Sequence, residues 1–211
     1  MSATGESGLN IKVLLWVFVF LAVLLWSAIE PADRLTWWME VIPAIAGFLI
    51  LLLTGKRFPL TELLYTLILV HAVILMVGGH YTYAEVPIGD WLRDLSGGDR
   101  NNYDKLGHLA QGFIPAIITR EILIRNKVVS SARWLTFLVL CVVLAFSAFY
   151  ELIEWWAALL SAEAADAFLG TQGYVWDTQS DMLWALCGAI LSLLILSRLH
   201  DRQIRALIEK S

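Results

Sequence analysis

Long apolar runs without a charged residue are the feature that most restricts how this chain can fold. Residues 13–29 and 134–150 form two such runs. Their length approaches the roughly 20 residues that an α-helix needs to cross a bilayer, and it exceeds the about 4–8 residues of a buried strand. Hydrophobic residues make up 59% of the chain, against about 45–50% in soluble domains. Lipid is therefore the expected solvent for most of this protein.

The apolar runs predict an all-α fold, a polytopic membrane helical bundle with about six transmembrane helices. No internal repeat is evident, so we expect a single integral membrane domain over residues 1–211. The first run is interpreted as a helix and not as a signal peptide, because no convincing small-residue cleavage site follows it. Pro43 interrupts the second helix, which a membrane helix tolerates when its neighbours satisfy the freed carbonyl. The predicted helices lie near residues 11–29, 38–54, 60–79, 104–125, 133–160 and 179–199.

The distribution of lysine and arginine predicts the orientation of the bundle, because cytoplasmic loops are enriched in both. Four basic residues lie near one set of helix ends: Arg34, Arg93, Arg100 and Lys105. Eleven lie near the other set: Lys12, Lys56, Arg57, Arg120, Arg125, Lys127, Arg133, Arg198, Arg202, Arg205 and Lys210. We therefore expect a multi-pass inner-membrane protein with its N- and C-termini in the cytoplasm. The loops near residues 30–37, 80–103 and 161–178 should lie outside, and a short amphipathic cytoplasmic extension should follow residue 197.

Charge and cysteine content narrow the expected partners and chemistry. The net charge is −4, and no basic stripe interleaved with aromatic residues is present, so we expect membrane lipids and not nucleic acid as partners. Cys141 and Cys187 lie within apolar runs, which favours buried, unreactive thiols and no disulfide framework or thiolate metal motif. His71, inside the third helix, is interpreted as a hydrogen-bonded packing residue. None of these features determines the oligomeric state.

The apolar helices do not account for the ionisable residues that lie near their ends. The fourth helix opens with Asp104 and His108, which lie four residues apart and hence on one helical face. This spacing suits a carboxylate that orients an imidazole, or two ligands of one metal ion. An Asp near a helix N-terminus can also simply cap the helix, so that alternative stays open.

The fifth helix carries two acids, Glu151 and Glu154, three residues apart in an apolar stretch. A charge at the bilayer centre costs about 2.5–3.5 kcal/mol even on lenient scales, so such acids indicate a functional site. Two close carboxylates require a metal ion, a basic partner or a shared proton. The alternative is a structural ion pair, or acids that reach the membrane surface.

Three further residues complete a set that could converge at the outer ends of helices three to six. Asp177 and Asp181 repeat the four-residue spacing at the start of the last helix, although Asp177 could be an N-cap. His80 follows the third helix and could equally be a loop histidine without a role. Oxygen and imidazole ligands favour Zn, Mn, Fe or Mg, so a divalent metal is a candidate cofactor. The candidate metal ligands are His80, His108, Glu151, Glu154, Asp177 and Asp181.

Short segments around these residues are specific enough to indicate a family. They are His80-Tyr81-Thr82-Tyr83, Arg100-Asn101, residues 103–108, Tyr150-Glu151, Glu154-Trp155, residues 168–173, Trp176-Asp177 and Asp181-Met182. At these segments the chain resembles the YjdF-type family of bacterial inner-membrane proteins, from the first helix to the C-terminal tail. It departs from that pattern at Tyr174, where the family carries an acid. A looser similarity to VanZ-like membrane proteins lies in Asp104, His108, Asp177 and Asp181. The resemblance implies a multi-pass membrane protein and no particular reaction.

Three functions remain open from the sequence. The first is a metal-dependent or acid/base enzyme acting on a lipid or lipid-linked envelope substrate at the periplasmic face. Its candidate catalytic residues are His108, as general base or metal ligand, Asp104, which orients His108, and Glu151 and Glu154. The second is a proton-coupled transporter, against which the lack of repeated halves counts. The third is a non-catalytic membrane scaffold whose acids form structural ion pairs with Arg100 or Lys105.

Overall fold

The computed structural model describes residues 11–160 and 175–209, and all regular structure within these ranges is helical. Seven α-helices lie in this part of the chain: α1 (Ile11–Ala28), α2 (Arg34–Thr54), α3 (Glu62–Tyr81), α4 (Pro87–Ser96), α5 (Tyr103–Arg125), α6 (Ala132–Leu160) and α7 (Asp177–Ile208). A 3₁₀ turn at Tyr83–Glu85 joins α3 to α4. The predicted all-helical membrane bundle is confirmed.

Five of the described helices, α1, α2, α3, α6 and α7, are long and apolar enough to cross a membrane. Helix α5 has 23 residues and is about 35 Å long at 1.5 Å per residue, but its sequence is too polar to meet the same standard. Helix α5 can be more polar than the other long helices because it is central and packs against α3, α6 and α7. Three of its polar side chains, His108, Arg120 and Glu121, are buried. Since α5 does not meet the apolar standard that five other described helices meet, the predicted count of six spans is approximate.

Several predicted helix boundaries move in the structure. Helix α2 begins at Arg34, not near residue 38, and Pro43 lies inside it. Helix α7 begins at Asp177 and continues without a break to Ile208, so the predicted extension after residue 197 is part of the same helix. Residues 161–174 of the predicted third outer loop lie outside the described residues, as do the family segment at residues 168–173 and Tyr174.

The predicted outer loop at residues 80–103 contains a helix that the apolar pattern did not indicate. Pro87 occupies the first turn of α4 and Gly97 ends it with φ 67°, both of which are frequent helix boundary signals. The apolar side chains of α4 are exposed and recur at helical spacing: Ile88, Trp91, Leu92 and Leu95. Helix α4 is too short to span a bilayer, which is why a search for long apolar runs misses it.

Two apolar clusters hold the bundle together. One joins α1, α2 and α3 through large side chains, including Phe20, Trp37 and Met76. The other joins α5, α6 and α7 mainly through small and β-branched residues, as is common where membrane helices approach closely. The expectation of buried cysteines is wrong, since both Cys141 and Cys187 are exposed. They lie on the outer surface of spanning helices, where apolar side chains face lipid.

The N-terminus of α2 supplies a prediction about pH. The Asp33 side chain accepts a 2.7 Å hydrogen bond from the Thr36 backbone N–H. Partial burial tends to raise the pKa of Asp33, but hydrogen bonds from Thr36 and neighbouring backbone groups hold it below its ordinary value of 3.8. A lowered folded-state pKa contributes stability that is complete above pH 3.8 and is lost as the pH falls through the folded value.

We expect Asp33→Ala to destabilise the protein at pH 7 by about 1 kcal/mol, and by less at pH 3 than at pH 7. Thermal unfolding in detergent at both pH values measures this difference. Asp33→Asn is the control, because an amide oxygen can still cap the helix but does not titrate. A deficit in Asp33→Ala that is as large at pH 3 as at pH 7 would contradict the argument.

Candidate functional site

The candidate site is centred on the imidazole of His108, which is 7% exposed. Its Nε2 lies 3.3 Å from Asp104 Oδ1 and 3.8 Å from Asp181 Oδ2. One ligand atom from each of the three residues falls within 4.8 Å of the other two. His108 Nδ1 lies 2.9 Å from Gln111 Oε1, so Nδ1–H can donate to the amide oxygen and leave Nε2 facing the acids. The structure therefore brings α5 and α7 together at three potential ligands.

The position of Asp104 and His108 follows from where α5 begins. The side chain of Asn101 accepts a 3.0 Å hydrogen bond from Tyr103 N–H and donates to Val86 O, at 2.9 Å, and to Asp90 Oδ1. This links the start of α5 to α4. The N-cap of α5 is Asn102 and Asp104 is inside the first turn, so Asp104 is not the capping residue. The i, i+4 pair instead faces the interior of the bundle.

Arg100 is the basic residue that the structure places among the acids. Its Nη2 lies 3.4 Å from Asp177 Oδ1 and 4.0 Å from Asp104 Oδ2. Trp176 occupies the N-cap of α7 and Asp177 the first helical position, so the N-cap interpretation of Asp177 is wrong. Asp177 instead joins α7 to the segment that precedes α5.

Glu151 and Glu154 approach the same centre from α6. Glu151 is 9% exposed and lies beside Thr178, with His108 in electrostatic range. Glu154 lines the cavity next to His108. Two buried carboxylate oxygens, Glu151 Oε1 and Asp181 Oδ1, have no hydrogen-bond partner among the described residues. A buried polar atom without a partner costs about 1–3 kcal/mol, so these oxygens are suited to bind a cation or to carry a proton.

The structure adds an acid that the sequence interpretation did not single out. Glu40 of α2 is 5% exposed, and its carboxylate lies near the hydroxyls of Tyr83 and Tyr150 and within electrostatic range of His108. A Cβ on Gly78 or Gly107 would approach the Tyr83 ring to 2.4 or 2.6 Å, so these glycines make room for it. An acid inside a predicted membrane helix is the signal that could have identified Glu40.

His80 does not join this centre. Its Nδ1 lies 3.1 Å from Ser27 O, and its ring centroid lies 4.4 Å from that of Trp26. Both contacts are to α1, which packs against α3. The sequence placed His80 at the correct end of the bundle, but the direction of its side chain depends on the packing of α1 against α3.

Among the described residues, more acidic than basic groups surround His108. Electrostatic interactions link six carboxyl groups to one another and to His108 and Arg100: Glu40, Asp104, Glu151, Glu154, Asp177 and Asp181. Six close carboxylates repel one another unless cations or protons lie between them, and the described part of the site supplies one guanidinium and one imidazole. A bound metal ion or several shared protons would restore the balance.

A cavity of about 390 Å³ gives access to this centre. Its polar wall includes Glu40, Asp104, His108, Tyr150 and Glu154, and the remainder is largely apolar. A largely apolar cavity with a few convergent polar groups is the usual form of a small-molecule site. The arrangement can bind a cation, exchange protons and admit an apolar ligand.

Comparison with known proteins agrees with this architecture. Residues 12–202 match the model of a family described as predicted membrane protein (DUF2238). The chain belongs to the DUF2238 family. Over 183 residues it is 56% identical to the inner membrane protein YjdF of Escherichia coli (strain K12), covering 87% of this chain and 88% of that protein. No solved structure matches the chain significantly. It is a multi-pass inner-membrane protein.

A second buried polar network of this DUF2238 member lies at the opposite end of the bundle. Glu121 and His200 are both 0% exposed, and His200 Nε2 lies 2.9 Å from Glu121 Oε2. Thr61 and Arg125 also donate to Glu121. The sequence interpretation missed both residues, since Glu121 lay near one predicted helix end and His200 just beyond another. In contrast to the carboxylates of the His108 centre, both oxygens of the Glu121 carboxylate accept hydrogen bonds.

Proposed function

We propose that this protein is an enzyme with a metal-dependent or acid/base site that acts on a lipid or lipid-linked envelope substrate. The observation that supports it best is the meeting of Asp104, His108 and Asp181 within 4.8 Å, beside buried carboxylate oxygens without partners. The excess of lysine and arginine at the other end of the bundle favours cytoplasmic termini. The site would then open at the periplasmic face, where envelope lipids are accessible.

A divalent metal ion is the cation that fits the donor set best. Imidazole and carboxylate ligands suit Zn, Mn or Fe, and carboxylates with water suit Mg. Ligand bonds of about 2.0–2.2 Å place two ligands of one ion up to about 4 Å apart, comparable to the 3.3 and 3.8 Å around His108. Gln111, at Nδ1, would orient the ring as outer hydrogen-bond partners of metal-bound histidines do. Glu151, Glu154 and Asp177 interact electrostatically with His108.

Without a metal, the same residues can perform acid/base chemistry. Asp104 would orient the imidazole and stabilise its charged form, with His108 accepting a proton from the substrate or from water. Glu154, which lines the same cavity, would in its protonated form donate its own proton to the leaving group. Transfer of the proton from His108 to Glu154 would then restore both residues. Either version uses the polar end of the cavity for chemistry and its apolar walls for the substrate.

Metal content of the purified protein tests the metal-dependent version. We expect elemental analysis to find a stoichiometric divalent metal in the wild type and its loss in His108→Ala and Asp181→Asn, because each variant removes one of three close ligands. His80→Ala is the matched control, since His80 contacts α1 and should not bind the ion. Thermal melts would establish that each variant is folded.

Each outcome of that experiment separates two interpretations. Metal loss in all three variants would restore His80 to the ligand set. A folded wild type without metal, even after incubation with Zn, Mn, Fe or Mg, would remove the metal-dependent version and leave the acid/base one.

Proton-coupled transport is the second candidate, and one observation favours it. His71 lies in α3 between the two polar networks, and its buried Nε2 has no hydrogen-bond partner among the described residues, contrary to the sequence interpretation. His108 and Glu121 are about 20 Å apart along α5 at 1.5 Å per residue, so His71 could relay protons between them. Proteoliposomes in which a pH gradient drives solute uptake, and in which His71→Leu abolishes it, would support transport. Proteoliposomes that take up none of the tested solutes when a pH gradient is applied would count against transport.

A further inference from the structure

A second cavity continues the first one into the membrane. It has a volume of about 480 Å³ and shares five lining residues with the cavity at His108. These shared residues come from α2, α3 and α5: Pro43, His71, Leu75, Ile118 and Ile122. Helix α3 packs against both α2 and α5, so it forms the floor of a groove whose walls are α2 and α5. The two cavities are therefore parts of one groove.

The groove is strongly polar at one end and largely apolar along the rest, where His71 is the one ionisable side chain among the described lining residues of the second cavity. At the His108 end it is lined by Glu40, Asp104 and Glu154. Further along it is lined by residues such as Ala44, Leu51 and Ile68. A ligand that matches this surface must carry a polar group at one end only.

The length of the groove also restricts its occupant. Along α2 its lining extends from Glu40 to Thr54, which is about 21 Å at 1.5 Å per residue. One leaflet of a bilayer contributes about 15 Å of hydrocarbon, half of the roughly 30 Å core. The groove is thus long enough to hold one extended hydrocarbon chain of a lipid from one leaflet, with the headgroup of the same lipid at the polar end.

We propose that this groove binds one hydrocarbon chain of a membrane lipid and presents the lipid's polar group to His108 and its neighbouring acids. This inference rests on the proposed function and specifies its substrate class as a lipid bound by a chain. A second copy of the protein fits the surface less well, since its apolar helix would place no cation against Glu40, Asp104 and Glu154. The polar end of a lipid can carry an amine, a hydroxyl or a metal-bound phosphate to these acids.

Gly47 offers a way to block the groove without disturbing the fold. It lines the apolar cavity, and a Cβ built on it would have no heavy atom within 4 Å. Gly47→Phe should therefore extend into the groove from a Cβ that meets no neighbouring atom. Leu53→Phe is the matched control, because Leu53 is on the same helix, is 79% exposed and is not part of the lining.

Photo-crosslinking in proteoliposomes of phosphatidylethanolamine and phosphatidylglycerol tests the proposal. The probe is phosphatidylglycerol with a diazirine at the end of one acyl chain, and mass spectrometry locates its adducts. We expect adducts on groove residues of α3 and α5, such as Ile68 and Ile118, in the wild type and in Leu53→Phe. Gly47→Phe should lose these adducts and keep those on the outer face of α1. Gly47→Leu repeats the test if the larger side chain lowers the folded yield.

The possible outcomes separate this inference from the proposed function. Groove adducts that persist in folded Gly47→Phe, or wild-type adducts only on outer faces, would overturn the inference. A change of oligomeric state in Gly47→Phe, with no groove adducts in the wild type, would assign the groove to a second copy instead. Metal content is measured on the same samples, so absent adducts with retained metal would overturn the groove alone. Absent metal with retained adducts would overturn the metal site alone.

Discussion

Glu121→Ala is expected to cost about 3–5 kcal/mol of folding free energy, the range for breaking a buried charge pair by removing one partner. Glu121 Oε2 accepts hydrogen bonds from Thr61 Oγ1, at 2.8 Å, and from His200 Nε2, at 2.9 Å, while Arg125 Nη1 lies 2.8 Å from Oε1. The substitution would leave His200, which is 0% exposed, without its carboxylate. It would also separate the ends of α3, α5 and α7, which this network joins.

Glu62→Ala is the matched control for that experiment. Glu62 pairs with Lys12 at 2.7 Å, but the two side chains are 78% and 69% exposed. Exposed pairs contribute about 0–1 kcal/mol, so Glu62→Ala should melt almost like the wild type. Thermal unfolding in detergent and the folded fraction by size-exclusion chromatography measure both effects. Similar melting of the two variants would show that the Glu121 network does not stabilise the bundle.

Gly112→Val is expected to prevent α5 and α7 from packing and to remove most of the folded protein. A Cβ at Gly112 would lie 1.7 Å from Ala185 O, and a Cβ at Gly188 would lie 2.1 Å from Leu109 O. Both clashes are with backbone, which cannot rotate away as a side chain can. Overpacking costs about 1–3 kcal/mol and occasionally more, and we expect the upper end because two helices must move apart.

Gly47→Val controls for the change of residue type, since the space around Gly47 is open. The folded yield and melting temperature should fall sharply for Gly112→Val and little for Gly47→Val. Because His108 lies on α5 and Asp181 on α7, any Gly112→Val protein that folds should also lose the metal that we propose binds between them. Normal yield and melting of Gly112→Val would mean that the helices are less closely packed than the structure shows.

Much of the candidate site could be predicted because its key spacings are local. Asp104 and His108 lie on one face of any helix that contains both, and the structure places their side chains 3.3 Å apart. For Asp181 of α7, the sequence predicted only that it lies at the same end of the bundle as His108. Its distance from His108 depends on the glycine contacts between α5 and α7, and so does the burial of Asp181 Oδ1.

Other features required contacts that are distant in sequence. Glu40 is a single acid in an apolar helix, and its role follows from Tyr83 and Tyr150, which arrive from two other segments. His80 was grouped with the metal ligands because of its level in the bundle, yet its ring packs against Trp26. Helix α4 lacks the long apolar run on which membrane helix prediction depends. It was therefore not predicted, although its cap residues and short apolar stripe are typical of a helix.

The sequence by itself determined that this protein is an all-helical membrane protein, the order of its long helices and the end of the bundle at which most of its acids lie. These properties follow from the length of apolar runs and from the 3.6-residue helical period, which nearby residues decide. Only the tertiary structure decided which helix faces meet, that α5 is the central helix, that Glu40 joins the His108 site and that His80 does not. Those outcomes depend on the close approach of helix backbones at small residues, which a single helix does not encode.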